Sequence, residues 1–434
     1  MPLTRLRSLQ NERLQYQVRL LYNKVPFYRN MFDSINLDPL SVRSVEDLHR
    51  IPFTKKDALR EHYPFGLFTI PKDRVARLHC SSGTTGKPIV VGYTHNDIAI
   101  FSEVVARSLS AAGCKPGMLL QNAYGYGLFT GGLGLHYGAE KLGMTVLPIS
   151  GGGTEKQLML MQDFGSDVIC CTPSYALTLA EEIKKRKVDR NKIKLRYAVL
   201  GAEPWTERIR TEIETGLGVT ATNIYGLSEI IGPGVAQEDF EERGTGSYIW
   251  EDHFYPEIVD RNTGEPLPYG QQGVLVFTTL TKEAMPLLRY WTNDITSLYY
   301  DKSAKRTHIK MAPIAGRADD MLVIRGVNLF HTQVEAVLEH IDALSANYQL
   351  IISRPAAMDE VEVLVEIAAA LYEDLCKETN NVLEHEMIIS AAGSLNKKIK
   401  EHIGLSVKVT IAAPGSIPRS EGGKLNRIAD KRSK

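Results

Sequence analysis

The pattern of apolar and polar positions divides this chain into three textures. Leu6, Leu9, Leu14, Val18 and Leu21 fall on one face of an opening amphipathic helix, which Pro26 ends. A second helical segment is expected over residues 44–62, carrying Pro52-Phe53-Thr54-Lys55-Lys56-Asp57, with Lys55 and Lys56 on a solvated face. From residue 97 to 225 helix and strand patterns alternate. Helices are expected over 97–112 and 131–142 and from residues 155, 173 and 205, and strands over 118–123, 145–149, 167–171, 196–200 and 219–224. Alternation at this spacing means parallel βαβ units, and Thr172 as N-cap before Pro173 is a clear helix start. After Gly234 the rhythm becomes short β runs with turn chemistry such as Asn262-Thr263-Gly264. Beyond Gly316 come a helix over 332–340, strands over 349–353 and 361–368, a helix over 382–402 and a strand over 406–412.

The fold class expected is α/β with a β subdomain in a large N-terminal domain, plus a small α+β C-terminal domain. Residues 1–315 form the large domain, with 1–72 a helical cover, 73–235 the α/β part and 236–315 the β-rich part. Residues 316–322 are the hinge and 323–434 the small domain.

Charge narrows the function classes. Lys and Arg together number 51, as do Asp and Glu, so no global basic field calls for nucleic acid or an anionic membrane, and any anion site must be local. The cysteines, Cys80, Cys114, Cys170, Cys171 and Cys376, are odd in number and lack both a disulfide framework and zinc-ligand spacing. With no secretory apolar core near the start and no run of eighteen apolar residues, the chain reads as soluble and cytoplasmic.

The chemistry-bearing stretch is Ser81-Ser82-Gly83-Thr84-Thr85-Gly86-Lys87-Pro88. Hydroxyls, glycines and one ammonium are the equipment of a polyphosphate clamp, although an ordinary Ser/Thr/Gly turn has the same composition. A Walker A loop is excluded, because only two residues separate Gly83 from Gly86 and Pro88 biases Lys87 away from a helix. The loop is therefore expected to join two strands. Ligands of parallel sheets sit beyond the carboxyl ends of the strands, here Tyr124-Gly125-Tyr126-Gly127, Gly201-Ala202-Glu203-Pro204 and Tyr225-Gly226-Leu227-Ser228-Glu229. Glu229 reads as a surface carboxylate or a Mg²⁺ ligand. Ser228 is not a hydrolase nucleophile, since Ile230 stands where that elbow needs glycine, and His385-Glu386 lacks the second histidine of a zinc-protease helix.

Segments 52–57, 81–93, 122–153, 225–236, 250–256, 277–290, 316–328 and 418–427 together resemble the phenylacetate-CoA ligase family of the adenylate-forming superfamily. The resemblance implies an ATP- and Mg²⁺-dependent acid–thiol ligase whose small domain is mobile. An aryl or arylacetic acid is first adenylated, then transferred to CoA; the phosphopantetheine of a carrier protein is the alternative acceptor. A nucleotide-binding protein without catalysis is the rival of a different class. The resemblance makes Ser81, Ser82, Gly83, Thr84, Thr85, Gly86 and Lys87 the holders of the ATP phosphates. It places Glu203, Tyr225, Gly226, Asp294 and Arg317 around adenine and ribose, and gives Glu229 to Mg²⁺. Asp319 becomes the hinge, Arg325 and Gly326 mark the pantetheine entry, and Lys424 becomes the catalytic lysine. The aryl pocket is expected from Tyr124, Tyr126, Phe129, His136, Ile230, Ile231, Gly232 and Pro233, with Tyr124 and Tyr126 alternatively core residues and His136 alternatively structural.

The chain departs from the family pattern in three places. Arg289-Tyr290-Trp291-Thr292-Asn293-Asp294 lacks two of the usual arginines, and Gly422-Gly423 is one residue longer than the usual approach to the lysine. Asp239 and Tyr248 stand where relatives often have metal ligands, so no structural zinc is expected. The implied partners are a small aromatic acid of the phenylacetate, benzoate or aminobenzoate type, ATP and CoA. Family members are often dimers, and neither nucleic acid nor membrane is expected as a partner.

Overall fold

A computed structural model describes residues 1–80, 88–318, 322–325, 327–355, 359–420 and 427–432. The expected phosphate loop 81–87, the hinge Asp319, Gly326 and Lys424 lie outside the described residues.

Helix α1 (Leu3–Lys24) buries Leu6, Leu14, Val18 and Leu21 as its periodicity predicts, but also Gln10 and Gln17. Those amides tie the helix to the sheet, donating to the carbonyls of Glu251 at 2.9 Å and Lys282 at 2.8 Å. Pro26 stands at the first turn of α2 (Pro26–Ser34), so it ends one helix and opens the next. The single helix expected over 44–62 is instead a 3₁₀ turn, Val45–Arg50, and a short α3 (Lys56–Glu61). Pro52 holds Ile51 extended, and Thr54 is drawn to the sheet, its N–H bonded to the Arg289 carbonyl and its hydroxyl to that of Leu288. Tertiary pairing overrides helix propensity there.

Strands β1 (Arg77–Cys80) and β2 (Val90–Tyr93) pair antiparallel on either side of residues 81–87. Helix α4 (His95–Ala111), opened by a Thr94/Asp97 capping box, leads into the βαβ series. That series runs β3 (Leu119–Asn122), α5 (Thr130–Leu142), β4 (Thr145–Leu147), α6 (Thr154–Phe164), β5 (Val168–Cys171) and α7 (Pro173–Lys185). It ends with β6 (Tyr197–Gly201), α8 (Glu207–Leu217) and β7 (Thr220–Leu227). The strands from β3 to β7 pair in parallel. Antiparallel strands follow: β8 (Gly232–Glu238), β9 (Ser247–Ile249), β10 (Phe254–Val259), β11 (Gln272–Thr279), β12 (Tyr290–Tyr299), β13 (Lys310–Met311) and β14 (Gly316–Arg317).

The β-rich part is continuous with the α/β part in one twelve-stranded sheet of order β10-β11-β12-β13-β9-β8-β7-β6-β5-β3-β4, with β14 on β12. The tight turn between β7 and β8 switches the sheet from parallel to antiparallel. Asp239 and Tyr248 sit in an ion-pair cluster: Asp239 pairs with Arg306, the Tyr248 hydroxyl donates to Glu242, and buried Lys310 reaches Glu242 at 3.0 Å.

The small domain opens with the hairpin β15 (Leu322–Ile324) and β16 (Val327–Leu329), then α9 (His331–Leu338). There follow β17 (Leu344–Ser353), β18 (Glu360–Ile367), α10 (Ala369–Glu378), α11 (Glu386–Ile403), β19 (Lys408–Ala412) and β20 (Ile428–Asp430). Its sheet has the order β19-β18-β17-β20, and α9 and α11 bury Val334, Leu338, Leu395 and Ile399 against Leu350 and Val363. This domain docks on α7 and α8. Arg208 Nη1 donates to the Leu338 carbonyl at 2.7 Å, and Arg419 reaches across to Glu181 at 2.9 Å.

Candidate active site

The carboxyl ends of β3, β6 and β7, the faces of β12 and β14, and the start of α9 enclose a cavity of about 350 Å³. All three loops singled out by the topology rule contribute to its wall, through Tyr124, through Ala202 and Glu203, and through the run from Tyr225 to Glu229. The backbone there is tightly fitted. Ala202 is in the left-handed region at φ 70°, a strained conformation for a residue with a side chain. At Gly226 a Cβ would meet the Gly232 carbonyl oxygen at 1.9 Å, so only hydrogen fits between β7 and β8.

At one end of the cavity Asp294 is held by two donors. The Tyr225 hydroxyl donates to Oδ2 at 2.6 Å and Arg317 Nη1 donates to Oδ1 at 3.1 Å, the arginine being carried opposite Asp294 in the β12–β14 register. Burial, then the Asp294 charge, pushes the Tyr225 phenol well above its ordinary value, so it stays a donor. An oriented carboxylate accepts with both oxygens, as recognition of a diol requires. Glu203 Oε2 accepts from the Ser174 N–H at 3.2 Å, where anions are favoured at the start of α7.

Glu229 is 7% exposed and lines the same cavity. Beneath it lies Lys282, itself 2% exposed, whose ammonium donates to the Glu229 carbonyl at 3.2 Å and stands 4.9 Å from the Tyr93 ring centre. Burial pulls the Lys282 pKa down to about 8, against the opposing charges of Asp97 and Glu229. Among the described residues no group of three acidic, histidine or cysteine side chains could cage a metal. One cavity-facing carboxylate nevertheless fits Mg²⁺, which takes one or two carboxylates and completes its shell with phosphate oxygens and waters.

Beside Glu229 the wall is apolar, formed by Tyr124, Phe129 and Pro233. Tyr124 is also a brace: its buried hydroxyl donates to the Cys171 carbonyl at 2.6 Å. The other residues of the expected aryl pocket are not in this wall. Tyr126 receives a hydrogen bond from Asn122 at 2.8 Å and meets His136 Nδ1 at 3.1 Å, while His136 Nε2 lies 3.1 Å from Glu140 on the outer side of α5. Ile230 and Ile231 are buried in the main core behind the cavity, and Gly232 packs on Phe101. Arg325 sits exposed at the β15–β16 turn, bonded to the Ser406 carbonyl at 2.5 Å. Trp291 packs edge-on to Phe53 with ring centres 4.9 Å apart, beside Ala318, filling space at the end of the large domain.

Three residues of the site have no counterpart in the sequence reading. Lys56, expected on a solvated face, lines the cavity. Lys282 stands between Thr281 and Glu283 in the mixed run Leu280 to Met285, which reads as a solvated turn and gives no local sign of burial. His331 reaches the cavity from the small domain.

The AMP-binding enzyme family profile matches residues 7–281, and the AMP-binding enzyme C-terminal domain profile matches 326–432. Phenylacetate-coenzyme A ligase of Thermus thermophilus is 60% identical over 100% of this chain and 98% of its own length. The chain belongs to the phenylacetate-CoA ligase family of AMP-binding enzymes. The enzyme of that name from Aromatoleum evansii is 50% identical over 99% of this chain and 95% of its own. Among solved structures, 2-hydroxyisobutyryl-CoA ligase in its postadenylation state with 2-HIB-AMP is 26% identical, with a TM-score of 0.89 over 99% of this chain and 90% of that one. The same relative with 2-HIB-AMP and CoA in the thioesterification state gives 0.71, over 100% of this chain and 91% of that one. Identity is the same in both, so this chain superposes more closely on the first arrangement of that relative than on the second. No helix among the described residues is long and apolar enough to cross a membrane.

Proposed function

We propose that this protein is an AMP-forming aryl acid–CoA ligase with phenylacetate as its acid. The observation that carries the proposal is the Tyr225–Asp294–Arg317 cluster in a cavity that continues to Phe129 and Pro233, in a chain so similar to the phenylacetate ligases. A ribose-binding carboxylate at one end and an apolar slot at the other suit a nucleotide joined to a ring-bearing acyl group.

In the first half-reaction a carboxylate oxygen of the acid attacks the α-phosphorus of ATP. A new P–O bond forms, the bond to the β-phosphate oxygen breaks, and pyrophosphate leaves. The loop Ser81–Lys87 holds the β- and γ-phosphates, Asp294 accepts from the ribose hydroxyls, and Glu203 lies near adenine. Glu229 would hold Mg²⁺, whose chemistry is to neutralise phosphate charge. Lys424 meets the charge that grows on the phosphoryl oxygens between two anions, an interaction stronger in the transition state than in the ground state. Lys56 brings a further cation to the cavity, beside Arg317. In the second half-reaction the CoA thiol, losing its proton, attacks the acyl carbonyl, and AMP leaves with the bonding pair. Rotation of the small domain about Asp319 would withdraw Lys424 and bring Arg325 and Gly326 toward the cavity.

The test is a panel of phenylacetate, benzoate and 2-aminobenzoate with ATP, Mg²⁺ and either CoA or a holo carrier protein, read by mass spectrometry. Phenylacetyl-CoA with AMP is the expected product and phenylacetate the expected best acid by kcat/KM. A different best acid overturns the substrate, thioester only on the carrier overturns the acceptor, and no adenylate with any acid overturns the enzyme reading.

A further inference from the structure

His331 opens α9, and the segment around it is clamped to the large domain's last strand. The Thr332 hydroxyl donates to the Ala315 carbonyl, and the Phe330 ring packs so closely that a Cβ on Gly316 would lie 3.0 Å from it. The next residue on that strand is Arg317, the partner of Asp294. His331 thus joins the nucleotide end of the cavity from the domain that moves.

The hydrogen bonds behind the imidazole assign its tautomer. The Tyr348 hydroxyl proton goes to the His331 carbonyl at 2.9 Å, the shortest of its contacts. His331 Nδ1, 3.2 Å from the same oxygen, must then be the donor in that pair, which leaves Nε2 as an acceptor. Burial, reinforced by the Arg427 charge, holds the imidazole neutral with its pKa near 4, so Nε2 stays unprotonated at working pH. Among the described residues Nε2 has no hydrogen-bond partner. Behind it Arg427 stands 4.7 Å over the Tyr348 ring and holds the tyrosine in place.

We infer that His331 reads the nucleotide: Nε2 accepts a hydrogen bond from an O–H or N–H donor on the nucleotide, a ribose hydroxyl or the adenine amino group. This coupling makes docking of the small domain depend on an occupied cavity. The inference rests on the cavity being the nucleotide site proposed above.

The experiment uses the full chain with His331→Phe, which keeps the ring and removes both nitrogens, and His331→Gln, which restores an acceptor near Nε2. ATP–pyrophosphate exchange is measured with ATP, 2′-deoxyATP, 3′-deoxyATP and the triphosphate of purine riboside, which lacks the amino group. The phenylalanine variant should raise the KM for ATP about tenfold, the loss of one hydrogen bond in a closed site. Thioester formation from supplied phenylacetyl-AMP and CoA should keep its kcat, and the glutamine variant should recover most of the loss. The analogue lacking the recognised donor should bind wild type poorly and lose nothing further in the phenylalanine variant. An unchanged KM, penalties that add for every analogue, or equal loss in both half-reactions with a lowered Tm would overturn the inference. Calorimetric binding of the same nucleotides keeps the comparison intact if the true acid is another one, which separates failure of this contact from failure of the substrate assignment.

Discussion

Arg208 on α8 bonds the large domain to several backbone carbonyls of the small one. Its guanidinium donates to the Leu338 carbonyl at 2.7 Å, to the Leu344 carbonyl, and at 3.4 Å to that of Ile341. Its backbone N–H meets Glu339 at 3.2 Å. These carbonyls form the negative end of α9 and the turn after it, where a cation is favoured. Hydrogen bonds from a charged donor contribute about 1.5–3 kcal/mol each, but Arg208→Ala would let water reach the freed carbonyls at an interface where this side chain is 19% exposed. A net loss of about 2 kcal/mol is reasonable, which is roughly 30-fold in the docking equilibrium. Because the chain superposes more closely on a relative in its postadenylation state than on the same relative in its thioesterification state, the substitution should act on one half-reaction. ATP–pyrophosphate exchange should fall by up to that factor, thioester formation from supplied acyl-AMP should not slow, and Tm should move little. Measuring the two half-reactions separately decides it. Equal losses in both, or no loss in either, would mean that Arg208 does not set the docking equilibrium.

Asp294→Asn keeps the side chain's shape but replaces the acceptor facing Arg317 and Tyr225, and should raise the KM for ATP at least tenfold in pyrophosphate exchange; Tyr225→Phe, which removes one orienting bond, should cost severalfold. Lys424→Ala should abolish adenylate formation while thioester formation from supplied acyl-AMP survives, and equal loss of both would refute that assignment. Burial raises the Glu335 pKa from its ordinary 4.5 to about 7, so between those values the folded protein binds more protons than the unfolded chain and stability falls as pH rises. Burial lowers His331 from 6.5 to about 4, so its contribution falls as pH falls through that range, and the two groups oppose each other. Thermal unfolding should therefore show Glu335→Gln losing Tm more steeply than wild type from pH 7 to pH 5, and His331→Gln less steeply; parallel curves would contradict both shifts.

The βαβ rhythm was legible because each element is local: periodic apolar faces, the Thr172-Pro173 start and the turn glycines all agree with the tertiary structure. Elements defined by distant partners were not. Strand β20 is three residues long and exists through parallel pairing with β17, far away in sequence, and the hairpin β15–β16 is equally short. The helix over 44–62 failed for the same reason, since Thr54 answers to β12 rather than to its neighbours. At the site, Tyr225, Asp294 and Arg317 belong to recognisable motifs, and the structure brings them within hydrogen-bond reach. Tyr126 and His136, expected with Tyr124 around an aryl group, have Asn122 and Glu140 as hydrogen-bond partners. Lys56 looked solvated because it stands in a charged run, and His331 could not be placed until the small domain was docked.

Activation of the acid as an acyl-adenylate puts one of its oxygens on AMP. Phenylacetate labelled with ¹⁸O in both carboxylate oxygens, incubated with the enzyme, ATP, Mg²⁺ and CoA, tests it most directly. Attack of the carboxylate on the α-phosphorus leaves one labelled oxygen on the AMP released when the thiol displaces it, so mass spectrometry should find AMP carrying one ¹⁸O in amount equal to phenylacetyl-CoA, with unlabelled pyrophosphate. Label in orthophosphate together with ADP, or unlabelled AMP, would contradict it.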